Sequence, residues 1–378
     1  MAKRLASYLL CLSLIASLAY GTGRFVRDEI TSPSLEGNRL GDPATREITI
    51  YLPPSYDESP GKRYPVLYLL HGFGGDNDSF VRGVGETLAL MLLDGLMGGG
   101  VIPEMIIVMP DASNSFGGSF YTNSELIGDY EDYIVRDVVG YVDSGYRTIP
   151  DREHRVIMGA SMGGYGAMKL GVKHPDLFRA VVSLCAPLDF DVNRQRFIDR
   201  VIEENPGGKL TGPGEGKTFT NFLYAMAAAF SPNLNNPPFF VDLPIELPGG
   251  RIREEVWRRW EEHNIGTMLE RDPDRFRALD GIYLDVGDDD ELGLTPVVLS
   301  FHERLLALGI DHEFFMFEGG HSDKPVDRFI RAMEFVGKVL AEPSPVAPRA
   351  SLPVLWGGVK ASIISPSSSS SPRRTPRL

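Results

Sequence analysis

Cysteine is the first residue type that this sequence nearly lacks, with two among 378 residues. Cys11 lies in an N-terminal apolar run, so removal of that run would leave only Cys185, and no disulfide could form within the chain. Cys185 ends another apolar run, where a buried small side chain is expected rather than a nucleophile. The fold must therefore be stabilised by its hydrophobic core.

Basic residues are also in deficit, because 38 Lys and Arg stand against 51 Asp and Glu and give a formal net charge of −13. An acidic chain of this kind is a poor partner for nucleic acids or anionic membranes. Internal repeats are missing as well. With 43% hydrophobic and 24% charged residues, the composition is that of a globular protein with one large core.

The chain has a single long apolar run, and it lies at the N-terminus. Lys3 and Arg4 precede apolar residues 9–19, and Ala19-Tyr20-Gly21 supplies small residues before a cleavage position. These features predict a signal peptide over residues 1–21 and a secreted or periplasmic protein. A retained membrane anchor is the alternative, but the run is short for a span, and no stable membrane span is expected.

Strand-like runs alternate with helical patterns along the middle of the chain. Most of the runs are continuously apolar, which is typical of parallel strands covered on both faces. The predicted strands are residues 47–52, 64–70, 105–109, 155–158, 180–185, 282–286 and 313–317. The predicted helices are residues 87–96, 126–144, 164–174, 296–308 and 326–340. The alternation predicts an α/β fold, a three-layer sandwich with a mostly parallel central sheet.

Three segments depart from this alternation. Residues 22–45 are predicted to be a loop-rich lead-in to a domain that ends at residue 341. Residues 189–279, with one amphipathic helical pattern at 251–262, form an insertion that is either a cap over the substrate cleft or a peripheral decoration. Residues 342–378 are rich in Pro, Ser and Arg and are predicted to be disordered, with a wall-associated stalk or a cloning artefact as alternatives.

The most informative motif is the pentad Gly159-Ala160-Ser161-Met162-Gly163, which lies between a predicted strand and a predicted helix. It fits the G-x-S-x-G nucleophile elbow, in which a serine occupies a strained turn and only glycine fits two residues before and after it. The alternative is a glycine-rich turn with an inert serine. The flanking strand and helix patterns favour a nucleophile.

A serine nucleophile needs a base, and the base needs an acid that orients it. His321 follows the last predicted strand in a glycine-flanked loop, after the serine in chain order, and is the candidate base. The acid is expected in the loop after the strand at 282–286, where Asp290 is favoured over Asp289 and Asp288. A calcium loop is disfavoured because the acidic run lacks alternating ligands.

Acyl transfer also needs N–H donors for a developing oxyanion. Met162 directly follows the serine, and Phe73 lies in the glycine-rich loop after an early strand, so their main-chain N–H groups are the candidates. His71, in the same loop, is expected to hold that loop by a hydrogen bond rather than to catalyse. Tyr121 and Tyr165 are candidate substrate contacts, with plain packing as the alternative for both.

Five separated stretches, in order, resemble the esterase D-like branch of the α/β-hydrolases, which includes feruloyl esterases, S-formylglutathione hydrolases and secreted mycolyltransferases. The resemblance spans residues 45–340 and is carried by YPVLYLLHGFGG, MIIVMPDA, RVIMGASMGGYGAMKLGVKHPDLFRAVVSLCAPLD, GIYLDVGDDDELGL and HEFFMFEGGHS. It implies a triad of Ser161, Asp290 and His321, the Phe73 and Met162 N–H groups as oxyanion donors, and no metal or other cofactor.

The expected function is that of a secreted serine esterase that forms an acyl-enzyme on Ser161 and hydrolyses feruloyl or other short-acyl esters. Its expected substrate is a small-molecule or polysaccharide-linked ester. Enzymatic alternatives are an acyltransferase of the mycolyltransferase type, a thioesterase similar to S-formylglutathione hydrolase, and a peptidase. The alternative from another class is a secreted binding protein on an inactive hydrolase scaffold.

Overall fold

Eight strands form the central sheet of the computed structural model, which describes residues 22–343. The predicted signal peptide and all but the first two residues of the predicted tail lie outside this range. The strands are β1 (Arg24–Thr31), β2 (Thr45–Leu52), β3 (Val66–Leu70), β4 (Ile106–Pro110), β5 (Arg155–Ala160), β6 (Ala180–Leu184), β7 (Gly281–Gly287) and β8 (Glu313–Phe317). Their order in the sheet is β1-β2-β4-β3-β5-β6-β7-β8. The β1–β2 and β2–β4 pairs are antiparallel, and all other pairs are parallel.

Helices connect most of these strands. They are α1 (Ser79–Val84), α2 (Glu86–Gly98), α3 (Tyr130–Asp132), α4 (Val139–Gly145), α5 (Met162–Lys173), α6 (Arg194–Glu204), α7 (Thr218–Phe230), α8 (Glu254–Glu261), α9 (Ile265–Arg271), α10 (Asp274–Arg277), α11 (Thr295–Ala307) and α12 (Pro325–Ala341). A π-helical segment, Tyr133–Val138, joins α3 to α4. None of the helices within residues 22–343 combines the length and the apolarity that crossing a membrane requires.

Two hydrophobic cores lie on opposite faces of the sheet. Successive side chains of a strand point to opposite faces, and accordingly Val66 and Tyr68 of β3 belong to one core whereas Leu67 belongs to the other. Helices α2 and α12 contribute to the Leu67 core, and α5, α7, α8 and α11 contribute to the larger one. The predicted three-layer α/β sandwich is therefore confirmed, and its topology places the carboxyl ends of β3, β5, β6, β7 and β8 at one edge.

The prediction of a loop-rich lead-in over residues 22–45 was wrong. Strand β1 occupies residues 24–31 and pairs with β2 along its whole length, from Arg24 opposite Leu52 to Thr31 opposite Thr45. Only Ile30 is buried in the sequence RFVRDEIT. An edge strand that packs one half-buried face needs no continuous apolar run, and such a run was the signal used to find the other strands.

Residues 189–279 form the five helices α6 to α10, of which the sequence indicated only the one at residues 254–261. Their side chains join the larger core, with Trp260 and Phe230 buried. The segment lies on the helix that follows the elbow, since the Tyr165 hydroxyl of α5 donates to the main-chain oxygen of His263 at 2.6 Å. This placement brings the segment next to the candidate nucleophile.

Candidate active site

Ser161 is the single residue between the end of β5 and the start of α5. Its backbone angles, φ 57° and ψ −122°, lie where residues with a side chain are strained. A Cβ atom at Gly159 would lie 2.3 Å from main-chain atoms of Gly163, and a Cβ atom at Gly163 would lie 2.2 Å from the oxygen of Leu70. Both positions therefore require glycine, because backbone rather than a flexible side chain fills the space.

Asp290 and His321 are brought together by the loops after β7 and β8. His321 Nδ1 lies 2.8 Å from Asp290 Oδ2, and the Asp290 side chain is fully buried while His321 is 13% exposed. Asp288 and Asp289 are exposed. Among the three candidate acids, the structure thus pairs Asp290 with the imidazole. Within residues 22–343, no group of three or more His, Cys, Asp or Glu side chains is arranged to hold a metal ion.

The hydrogen bonds around His321 define what its imidazole can do. Asp290 Oδ1 accepts from the N–H of Leu292 at 2.9 Å, and Glu291 accepts from the N–H of His321 at 2.8 Å. Burial lowers the pKa of His321, but the hydrogen bond with Asp290 raises it, and the net pKa lies above the ordinary 6.5. A carboxylate at Nδ1 keeps the proton on that nitrogen, which leaves Nε2 as a proton acceptor.

Ser161 and His321 each contact the carboxyl end of β6. The Ser161 N–H donates to the oxygen of Leu184 at 2.8 Å, and the next residue, Cys185, places its Sγ 3.6 Å from the oxygen of His321. Among the hydrogen bonds of residues 22–343, none joins Ser161 Oγ to the imidazole. Hydrogen bonds between a nucleophile and its base commonly tighten only when substrate binds, and the shared contacts with β6 keep Ser161 and His321 as the candidates for that pair.

Two unpaired N–H groups flank Ser161. The 71–75 loop runs beside the elbow, since a Cβ atom at Gly72 would lie 3.6 Å from Ser161 Cβ. The Gly74 N–H donates to the main-chain oxygen of Gly117 at 2.8 Å, but the N–H groups of Phe73 and Met162 have no hydrogen-bond partner in the described chain. Two main-chain donors next to a serine are the arrangement that stabilises an oxyanion.

His71 has a different role from His321. Its Nε2 accepts from the N–H of Ala112 at 2.9 Å, and its Nδ1 donates to the oxygen of Gly72 at 2.8 Å. Burial lowers the pKa of His71, which favours the neutral ring that this pattern requires. These contacts hold the 71–75 loop, as expected from the sequence, and leave neither ring nitrogen free for proton transfer.

An apolar pocket opens beside Ser161 and Met162, with a volume of about 90 Å³. One water molecule needs roughly 10–15 Å³ on this scale, so the pocket admits a group of several heavy atoms. Much of its wall comes from aromatic side chains, most of them in residues 189–279: Phe73, Phe120, Phe190, Phe197, Phe219, Phe222, Trp257 and Trp260. Asn193 and Arg194 add polar groups, and Arg194 lies over the ring of Trp257 at 5.0 Å.

The placement of Tyr121 and Tyr165 does not support the predicted substrate contacts. Both are fully buried, and neither lines the pocket beside Ser161. The Tyr121 hydroxyl donates to the oxygen of His71 at 2.8 Å, so it supports the 71–75 loop. The Tyr165 ring stacks on Phe190 with a centroid separation of 5.8 Å and thereby backs the pocket wall. The six pocket aromatics of residues 189–279 were missed because they lie in a segment whose strand and helix pattern is weak.

Comparison with known proteins gives one family. The model of the family described as "Putative esterase" matches residues 43–333 of the chain. Esterase Rv1288 of Mycobacterium tuberculosis is 27% identical over 282 residues, which are 74% of this chain and 53% of that protein. An endo-1,4-beta-xylanase/feruloyl esterase of Xylanibacter ruminicola is 29% identical over 136 residues, which are 34% of this chain and 18% of that protein. The chain spans about half the length of the mycobacterial esterase.

Solved structures of esterases and related hydrolases share the fold. A ferulic acid esterase aligns with a TM-score of 0.60 and 24% identity, covering 85% of this chain and 99% of that one. The S-formylglutathione hydrolase FrmB of Staphylococcus aureus aligns with a TM-score of 0.54 and 18% identity, covering 85% and 99%. The architecture described above is thus that of an α/β-hydrolase.

Proposed function

The chain belongs to the Putative esterase family, and from that premise we propose that it is a serine esterase that works through an acyl-enzyme on Ser161. The observation that carries the proposal is the hydrogen bond between Asp290 and His321, at the same sheet edge as a strained serine with two unpaired N–H groups beside it. A nucleophile, an oriented base and oxyanion donors are the parts that acyl transfer requires.

In the proposed reaction, Ser161 Oγ attacks the ester carbonyl while His321 Nε2 takes the hydroxyl proton. Asp290 keeps the second imidazole proton on Nδ1 and stabilises the imidazolium. The oxyanion of the tetrahedral intermediate accepts hydrogen bonds from the N–H groups of Phe73 and Met162. Collapse of the intermediate breaks the C–O bond, and the alcohol leaves with the proton from His321. Water then attacks the acyl-enzyme with His321 again as base, which releases the acid and restores Ser161.

The pocket supports an aromatic or short apolar acyl group as substrate. Flat aromatic walls such as Phe222 and Trp260 favour stacking or edge-to-face contact with a ring. A feruloyl group has such a ring, and both a curated relative and a structural neighbour bear the name of feruloyl or ferulic acid esterase. We therefore propose a feruloyl or other short-acyl ester, attached to a small molecule or a polysaccharide.

Export from the cytoplasm is part of the proposal. Residues 1–21 carry the pattern of a signal peptide and lie outside the described residues, so the location in the periplasm or outside the cell stays a prediction. Fractionation of the host cells with an antibody against the folded domain tests it. Protein confined to the cytoplasmic fraction would contradict it.

The test of the activity is hydrolysis of p-nitrophenyl esters from acetate to palmitate, and of methyl ferulate, by the protein and by its Ser161→Ala variant. Turnover that is lost in the variant supports the esterase, and the order of kcat/KM along the series identifies the acyl group. Turnover that appears only when an acceptor alcohol such as glycerol or trehalose is added would favour an acyltransferase. Equal turnover by both proteins would refute the proposed nucleophile.

A further inference from the structure

A buried ion pair next to the proposed triad has no role in the chemistry above. Arg328 of α12 and Asp285 of β7 form two parallel hydrogen bonds, Nε to Oδ2 at 2.8 Å and Nη2 to Oδ1 at 2.9 Å. Their side chains are 6% and 0% exposed. A buried pair of this kind is weak evidence for stability, because desolvation offsets much of its attraction. Its presence beside the triad is better explained by the geometry that it fixes.

The pair connects the loop of the proposed base to the end of β6, which contacts the turn that carries Ser161. Arg328 Nη1 donates to the main-chain oxygen of His321 at 3.0 Å, and Nη2 lies 2.8 Å from Cys185 Sγ. Asp285 Oδ1 accepts from the N–H of Cys185 at 3.0 Å. Cys185 follows Leu184, whose oxygen accepts from the N–H of Ser161. The guanidinium, the carboxylate and the Leu184–Cys185 segment together link His321 to the elbow.

Helix α12 does not need Arg328 to dock on the sheet. The helix buries Phe329, Met333, Phe335 and Val336 in the core that faces β7. Arg328 lies one turn from its start, where its guanidinium covers the ring of Phe317 at 4.5 Å and reaches the loop that begins after β8. That loop contains Gly319, at φ 136°, and Gly320, which hold a backbone less firmly than other residues do. The loop therefore depends on outside contacts for its position.

We propose that the Asp285–Arg328 pair is a positioning element that sets the distance between His321 and Ser161. The inference rests on the proposed function, because it assigns the pair to that reaction. Arginine suits this task since its rigid fork presents several donors in one plane, which lysine cannot reproduce. Misplacement of a catalytic group by about 1 Å can cost roughly 100-fold in rate, so loss of the fork should reduce kcat rather than substrate binding.

The test compares Arg328→Gln with Arg331→Gln, and kcat is expressed per active site titrated with an organophosphonate. Arg331 is a matched control because it lies on the same helix, with its guanidinium over the ring of Phe315 at 4.2 Å. Unlike Arg328, it is exposed and donates no hydrogen bond to the His321 loop in the described chain. We expect kcat to fall about 10- to 100-fold in Arg328→Gln with KM changed less than about threefold. Arg331→Gln should match the wild type. A purely structural role would lower the titrated fraction and leave kcat per site unchanged, which would overturn the proposal.

Arg328→Lys keeps the buried charge and tests the positioning role if the glutamine variant does not fold. It should lose about 10-fold in kcat per titrated site, and a wild-type value would overturn the proposal. Wild-type protein without turnover would refute the esterase function instead. The NMR resonance of the His321 Nδ1 proton then decides, because its loss or broadening in Arg328→Lys supports positioning and an unchanged resonance contradicts it.

Discussion

Replacing Asp290 with asparagine removes the charge of the proposed acid and keeps its shape. Asp290 Oδ1 accepts from the N–H of Leu292 at 2.9 Å, and Oδ2 faces His321 Nδ1 at 2.8 Å. Since the N–H of Leu292 can only donate, the amide oxygen of asparagine must take the Oδ1 position, which turns its NH₂ group toward the imidazole. Nδ1 must then accept, and the imidazole proton moves to Nε2, the atom that should receive the Ser161 proton.

The expected loss follows from that change of tautomer. In serine-protease triads the same replacement lowers kcat by about 10⁴. We expect a loss of about 10³–10⁴ in kcat for Asp290→Asn, or ~4–5.5 kcal/mol on the barrier at 1.36 kcal/mol per factor of ten. The folded state should change little, because the hydrogen bond from Leu292 is retained and no cavity is created.

The assay is steady-state hydrolysis of p-nitrophenyl acetate, with Asp289→Asn as the matched control. Asp289 is exposed, and its carboxylate makes no hydrogen bond within residues 22–343. The control should retain wild-type kcat. If Asp290→Asn kept more than about a tenth of the activity while the control lost it, the assignment of the acid would be refuted.

Three further expectations concern pH, the elbow and the pocket. Because the pKa of His321 lies above 6.5, kcat/KM should fall when the pH decreases through this raised pKa and the imidazole becomes protonated. A midpoint below about 6 in the pH profile of kcat/KM would contradict the raised pKa. Gly163→Ala puts a Cβ atom 2.2 Å from a main-chain oxygen of β3 and should lower the free energy of unfolding in urea by about 3 kcal/mol or more. The control Gly145→Ala has no neighbouring atom within 4 Å of the new Cβ and should leave this free energy unchanged or raise it by about 0.5–1 kcal/mol. Phe222→Ala removes the ring that meets Phe73 at 4.8 Å, so kcat/KM for methyl ferulate should fall roughly 10-fold relative to p-nitrophenyl acetate, and an unchanged ratio would exclude this wall from acyl binding.

The sequence was most informative where one steric rule decides the residue. Gly159 and Gly163 are required by backbone atoms 2.2–2.3 Å from their missing Cβ atoms, so the motif predicted a local geometry that the structure contains. The buried parallel strands were found for a similar reason, since both of their faces must be apolar. Strand β1 was missed because it lies at the edge of the sheet and has one buried residue, Ile30.

Tertiary contacts account for what the sequence did not reveal. Helix α7 is buried on most sides, with ten of its thirteen residues buried, so its sequence TFTNFLYAMAAAF has little amphipathic pattern to recognise. The bond between Asp285 and Arg328 joins residues 43 positions apart, and no local pattern specifies such a partner. Tyr121 was predicted to contact substrate because aromatic loop residues often do, but its hydroxyl is committed to the oxygen of His71.

The most direct test of the account is covalent labelling by a fluorophosphonate, followed by the intact mass and by the mass of the labelled peptide. We expect one adduct per folded chain, located on Ser161, with no adduct on the Ser161→Ala variant or on heat-denatured protein. Such a result requires an activated serine, because an ordinary serine hydroxyl is too weak a nucleophile to react with the fluorophosphonate. A folded protein that takes up no label, or that takes it up on another residue, would contradict the assignment of Ser161 as the nucleophile.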